Sequence, residues 1–211
     1  MLALLLPPMI VPAGSSRSPL PRSVRLLMLL ALLLGALACW EARDFDVYRA
    51  EGPALRGELH IAGSLASAGP TRAWIAIFRR EHPGVRVLTH FDGAGAAAGA
   101  IASGHADVAQ MSRSMRPDER AFVMMAGDDP DKIRIGNMRG MPADGEGDDG
   151  LFIYVGGSAA DRSSAVEFAR IALSGEGQAE LARAGYAPLT WRSRRAMRDE
   201  IIRLSEREGV L

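Results

Sequence analysis

Apolar and polar positions alternate every second residue in some stretches of this chain and every third or fourth in others, and the two patterns take turns along it. Gly57–Ala62 (GELHIA) alternates and ends at Gly63-Ser64, which predicts a strand entering a turn. Over Pro70–Glu81, Trp74, Ile77 and Phe78 fall on one helical face. Pro70 suits the first helical position, and His82-Pro83-Gly84 ends the helix. Val85–Phe91 (VRVLTHF) has the β-branched content of a strand. Pro117–Met125 predicts a helix, with Pro117 at its first position and Asp118 and Glu119 favourable in the first turn. Leu151–Val155 (LFIYV) is a continuous apolar run suited to a buried strand. Ser164 with Glu167 has the spacing of a capping box for a helix through Leu173. Gly175–Arg183 reads as a shorter helix closed by Gly185, Pro188 as a turn, and Arg192–Arg207 as a charged terminal helix. Alternating strands and helices predict a layered α/β domain on a mainly parallel sheet.

The stretch between these elements carries the candidate chemistry. Phe91–Met115 reads as strand end, glycine turn, helix, short strand and polar turn. Gly93-Ala94-Gly95 allows a close backbone approach, Ala96–Ser103 is a small-residue helix, Asp107–Gln110 a short strand, and Ser112-Arg113-Ser114 a second polar turn. A helix that opens on a glycine turn leaves N–H groups unpaired, which suits an anion. The same residues also suit an ordinary βαβ connection whose glycines only make the turn. In a parallel sheet the turns at Gly63, Gly93 and Ser112 all open at the carboxyl ends of strands, where ligands sit.

Composition narrows the classes. The 211 residues are 48% apolar and 24% charged, which is globular. The first 38 residues hold three arginines and no acid, so the remainder carries 22 basic groups against 25 acidic ones. That balance argues against a nucleic-acid surface. Lys132 is the only lysine, a compositional bias of the source. Cys39 is the only cysteine, which excludes an internal disulfide and a cysteine metal site. Leu26–Ala38 is an apolar run shorter than the roughly 20 residues of a membrane span, preceded by Arg22 and Arg25. With Ala36-Leu37-Ala38 as a small-x-small site, residues 1–38 read as a signal peptide, or as an uncleaved N-terminal anchor. Cys39 directly after that site suits lipidation, although Ala36 stands where lipoprotein signals usually carry Leu. Residues 39–56 read as a linker.

Gly127–Gly150 is rich in Asp, Gly and Pro and reads as a flexible acidic connection, with Ile133-Arg134-Ile135 fit for a short strand. Its cluster from Asp144 to Asp149 lacks the ligand spacing of a calcium loop. His60, His82, His90 and His105 lack metal-ligand spacing, and no Gly-x-Ser-x-Gly elbow accompanies them. Asp107 reads as a brace for the turns through hydrogen bonds.

In order and spacing these segments resemble the phosphate-binding subunit of bacterial phosphate ABC transporters, within the periplasmic binding protein superfamily. That family's first loop reads Gly-Ser-x-Thr before a helix with a Trp; here it is Gly63-Ser64-Leu65-Ala66 and Trp74. Its second reads Gly-Ser-Gly or Gly-Thr-Gly; here Gly93-Ala94-Gly95. Its third reads Gly-x-x-Asp-Ile, three residues, then Ser-Arg; here Gly104, Asp107-Val108 and Ser112-Arg113. The closing segments resemble Leu151–Val155, Leu173–Gln178 and Gly185–Leu189, so the likeness covers Gly57–Glu119 and Gly150–Leu189.

The resemblance implies a single three-layer lobe of the type II periplasmic-binding-protein fold, built from residues 57–126 and 150–190, with 127–149 in place of the second lobe and 191–211 as a charged helix. A second lobe would need more than the ~50 residues of a small domain. The family's second-lobe Arg and Ser-Gly-Thr motif is missing, and Ala66 and Ala94 stand where the family has hydroxyls. The expected pocket residues are Ser64, Ser67, Gly95, Ser112 and Arg113. Hydrogen bonds to a charged group are worth roughly 1.5–3 kcal/mol each. With two hydroxyls and a facing lobe missing, the expectation is an exported solute-binding-like protein whose anion affinity is weak or lost. The alternative is a protein-interaction module on the same fold. The expected partners are a small inorganic anion such as phosphate and an ABC permease or another protein. Nucleic acid, cofactor, metal and catalysis are not expected, and the membrane is expected only at the N-terminus.

Overall fold

Leu59 and Ile61 point to one side of strand β1 (Arg56–Gly63) and Ala62 to the other, the two-residue period of a strand buried on both faces. The structure is a computed structural model that describes residues 47–138, 140, 147–156 and 159–207, without the side chains of 159–161 and 205–207. β1 pairs in parallel with β2 (Gly84–His90) and with β3 (Val108–Arg113). At the far edge lie β4 (Asp131–Gly136) and β5 (Asp149–Val155), which is antiparallel to both β3 and β4. The order is β2-β1-β3-β5-β4, so only β5 runs against the common direction. The carboxyl ends of β1, β2 and β3 therefore share one edge, as the sequence predicts.

Helices follow the strands: α1 (Ala68–Glu81), α2 (Ala94–Ala102), α3 (Pro117–Met125), α4 (Ala159–Leu173), α5 (Gly175–Arg183) and α6 (Trp191–Arg207). One face of the sheet packs Leu59, Ile61, Ile153 and Val155 against α1, α4, α5 and α6. The other packs Ala62, Ala109, Met111, Phe152 and Tyr154 against α2 and α3. Trp74, Phe78 and Phe168 form the aromatic centre of the first layer, and the Trp74 indole donates to the Gly177 carbonyl at 2.8 Å. Small side chains on α2 (Ala97, Ala98) let that helix lie close to the sheet.

The residues before β1 form a strap, Val47–Leu55, across the first layer. Its tethers end on ionisable acceptors. The Tyr48 N–H donates to Glu176 and its hydroxyl to Glu167, both at 2.8 Å. The Ala50 N–H donates to Glu81 and the Leu55 N–H to His82 Nδ1. Because His82 Nδ1 accepts, its Nε2 carries the hydrogen and donates to Glu167 at 3.2 Å. Arg80 binds both oxygens of Glu176 at 2.9 Å and reaches the Tyr48 carbonyl. These contacts hold the Glu81 and Glu176 carboxyls below the usual range, the Arg80 hydrogen bond being the main cause. Burial, with Glu167 beside it, pushes the Tyr48 phenol up.

Several sequence expectations change. Ser112 and Arg113 are not a turn; they end β3, because pairing with β5 carries the strand through a bulge to Arg113–Asp149. α4 begins at Ala159, which places Ser164 inside the helix and leaves no capping box there; Glu167 serves the strap instead. α1 begins at Ala68, so Pro70 is its third residue, and α2 begins at Ala94. Ile133-Arg134-Ile135 is the middle of β4. Residues 1–38, Cys39 and the Asp144–Glu146 part of the acidic cluster lie outside the described residues. Among the described residues no helix is long and apolar enough to cross a membrane.

Candidate anion-binding site

The first two turns meet the strand β3 at Gly63, at the shared carboxyl edge of β1, β2 and β3. A side chain there would stand 3.1 Å from the Gln110 carbonyl oxygen and 3.3 Å from both the Phe91 ring and Ser67 Oγ. The Gly93 N–H donates to the Gly63 carbonyl at 3.1 Å, and the Ser64 N–H to the Gln110 carbonyl at 3.2 Å. Gly93 itself takes φ +114°, a conformation that favours glycine, and this sets the turn into α2.

The first turn closes on itself. Ser64 Oγ donates to Ser67 Oγ at 3.2 Å, and Ser67 Oγ donates to the Ser64 carbonyl at 2.8 Å. Both side chains are buried, and together they fix the short 3-10 turn Leu65–Ser67. Thr71 Oγ1 donates to the Ser67 carbonyl at 2.7 Å and also touches the Gln110 side-chain amide. A hydroxyl has one hydrogen, so with that hydrogen on Ser67 the amide must present Nε2 to Thr71. That orientation also gives the buried Gln110 Nε2 a partner.

At the second turn no side chain caps α2, whose first hydrogen bond to the turn runs from the Ala97 N–H to the Gly93 carbonyl. The N–H groups of Ala94, Gly95 and Ala96 precede it and are the orphan donors of the helix start. Beside them stands a carboxylate: Glu119 Oε1 lies 3.4 Å from where a Cβ of Gly95 would be.

That carboxylate belongs to the first turn of α3. Arg113 holds both oxygens of Glu119, at 2.7 and 2.6 Å, and Glu119 Oε2 also accepts the Arg116 N–H at 2.8 Å. Arg113 thus turns toward Glu119 as half of an ion pair. Their hydrogen bonds push the guanidinium up and hold the carboxyl below the usual range. Ser112 sits half-buried in the bulge of β3. Asp107 braces a different place from the turns: its carboxylate accepts the His60 N–H at 2.7 Å, at the amino end of β3.

The geometry therefore gathers Ser64, Ser67 and Gly95 around one edge, with Arg113 beside Gly95 through Glu119. Glu119, Gln110 and Thr71 join them without having been singled out from the sequence. Glu119 at the third position of α3 was legible as a favourable first-turn acid. Its pairing with Arg113 crosses from strand to helix and leaves no periodic trace. The edge offers backbone N–H groups, while the Ser64 and Ser67 hydroxyls and Arg113 are already engaged.

No protein-family model matches the chain, and no curated protein matches it. Solved structures do. The chain is similar to a possible phosphate binding protein from Planctomyces limnophilus DSM 3776, with a TM-score of 0.59 and 13% identity over 71% of this chain and 99% of that one. It is also similar to a structure from Clostridium perfringens described as a phosphate ABC transporter substrate-binding protein with bound phosphate. There the TM-score is 0.50 and the identity 11%, over 63% of this chain and 100% of that one. At such identities the likeness concerns the fold, that of a periplasmic-binding-protein lobe.

Proposed function

We propose that this chain is an exported, single-lobe solute-binding-like protein related to phosphate-binding ABC transporter components, with anion binding weak or lost. The observation that carries the reading is the state of the donors. Ser64 and Ser67 hydrogen-bond within their own turn, and Arg113 is neutralised by Glu119. What is left for an anion is the start of α2, worth only about 0.3–1 kcal/mol to a charge that stays in water. The chain is a binding protein and not an enzyme on this reading, since both similar structures are described as binding proteins. Export through residues 1–38 and lipidation at Cys39 belong to the same proposal, as does an ABC permease or other protein partner.

Isothermal titration of the purified chain with inorganic phosphate tests it. The expected dissociation constant is millimolar or weaker; micromolar binding would overturn the reading. A second reading, an interaction module without a transport ligand, is favoured by Leu65, which stands 77% exposed beside Ser64 on the open edge. A protein partner whose binding is lost in Leu65→Asp, with phosphate inert, would favour that reading.

A further inference from the structure

Helix α6 opens on a run of arginines with no acid in its first turn. Its first two turns hold Arg192, Arg194, Arg195 and Arg198. Cations at a helix amino end oppose the helix dipole, so this arrangement weakens the isolated helix. Its inner face is conventional, with Ile201 and Leu204 buried in the core. Its outer face is not a simple solvated one. At 3.6 residues per turn, Trp191, Arg195, Arg198 and Ile202 fall within one stripe about 60° wide. Trp191 is 53% exposed and Ile202 45% exposed, and both arginines are exposed.

The later part of the stripe, Arg198 and Ile202, meets the strap. A cavity of about 350 Å³ joins the two, lined by Val47, Tyr48 and Arg49 from the strap and by Arg198 and Ile202 from α6. Val47 is 55% exposed. The patch thus mixes large apolar tips with arginines, bordered by Asp199 on the helix and Glu51 on the strap. Arg198 anchors one nitrogen to the Leu173 carbonyl at 3.1 Å, which fixes its stem along this surface. Arg192 stacks on Trp191 at 5.3 Å.

We propose that this face of α6 and the strap docks on an anionic phospholipid surface. Tryptophan with arginine at a helix surface is the composition of an interfacial element, its ring at headgroup depth and its charges on lipid phosphates. An anionic surface would also offset the unfavourable charge at the amino end of α6. The sequence position fits: Val47 follows Cys39, the residue proposed for lipidation, by only eight positions. Eight extended residues reach at most about 28 Å, so an anchor at Cys39 keeps Val47 within that reach of the bilayer. This inference is independent of whether the edge near Gly63 binds phosphate.

The test uses the full chain reconstituted in vesicles with brominated acyl chains, either of neutral phosphatidylcholine alone or with about 30% phosphatidylglycerol. The emission difference between the wild type and Trp191→Phe isolates Trp191. In anionic vesicles that difference is expected to fall at least about twofold, and to recover in Arg195→Glu/Arg198→Glu and at about 0.5 M salt. In neutral vesicles it is expected to stay unchanged. Arg195→Gln/Arg198→Gln is a milder variant with intermediate quenching, and an unchanged circular dichroism melt verifies its fold. Equal quenching in both vesicle types, absence of quenching in anionic ones, or a lipid-independent dimer that covers Trp191 overturns the proposal.

Discussion

Gly177 decides how closely α5 can approach α4. A side chain there would overlap the Ile171 carbonyl oxygen, a backbone atom that cannot step aside, and the Gly177 carbonyl also receives the Trp74 indole N–H. Gly177→Ala therefore forces the two helices apart and disturbs the largest core residue. The expected cost is about 3 kcal/mol, at the upper end for overpacking, seen as a fall in melting temperature of roughly 10 °C. Glu119 is the second decisive residue. Its carboxylate neutralises Arg113 beside the start of α2. Glu119→Ala frees a guanidinium for an incoming anion, and one charge-assisted hydrogen bond raises phosphate affinity about tenfold in a calorimetric titration. The same change lowers stability by about 1 kcal/mol, because the Arg116 N–H at the start of α3 loses its acceptor.

Among the elements, the strap Val47–Leu55 responds to acid. It is held through Glu81, Glu167, Glu176 and His82. The Glu81 and Glu176 carboxyls are held below their ordinary value of 4.5 in the folded chain, with the Arg80 hydrogen bond as the main cause. A depressed carboxyl contributes stability that is complete above its unfolded value and lost as pH falls through the folded one. Hydrogen exchange at Tyr48 and Ala50, corrected for intrinsic rate, is therefore expected to accelerate below about pH 4.5, ahead of the core strands. Arg80→Ala should move that onset toward higher pH. Equal protection of strap and core down to pH 3 contradicts this account.

The elements also show what periodicity can reveal. Trp74, Ile77 and Phe78 read as one helical face and are one, and Leu151–Val155 reads as a buried strand and is one. These signals are local, set by each residue's neighbours in sequence. The end of β3 is set instead by β5, some forty residues later, and so Ser112 and Arg113 look like a turn in sequence and form a strand in space. Ser164 and Glu167 have capping spacing, yet the helix begins earlier and the strap recruits Glu167. At the candidate edge, glycines and serines were legible because turn chemistry needs those residue types. The Arg113–Glu119 pair and the Thr71–Gln110 contact were not, because they are tertiary.

For the whole molecule, the sheet order β2-β1-β3-β5-β4 gathers the carboxyl ends of β1, β2 and β3 at one edge. The edge retains the amides at the start of α2 for negative charge, while Ser64, Ser67 and Arg113 are engaged elsewhere. Amide chemical shifts recorded during a phosphate titration of the isotopically labelled chain test this most directly. The account predicts shifts centred on Ala94, Gly95 and Ala96 that saturate only at millimolar phosphate, with the Ser64 and Ser67 amides nearly still. Saturation at micromolar phosphate, or shifts centred anywhere else in the chain, would contradict it.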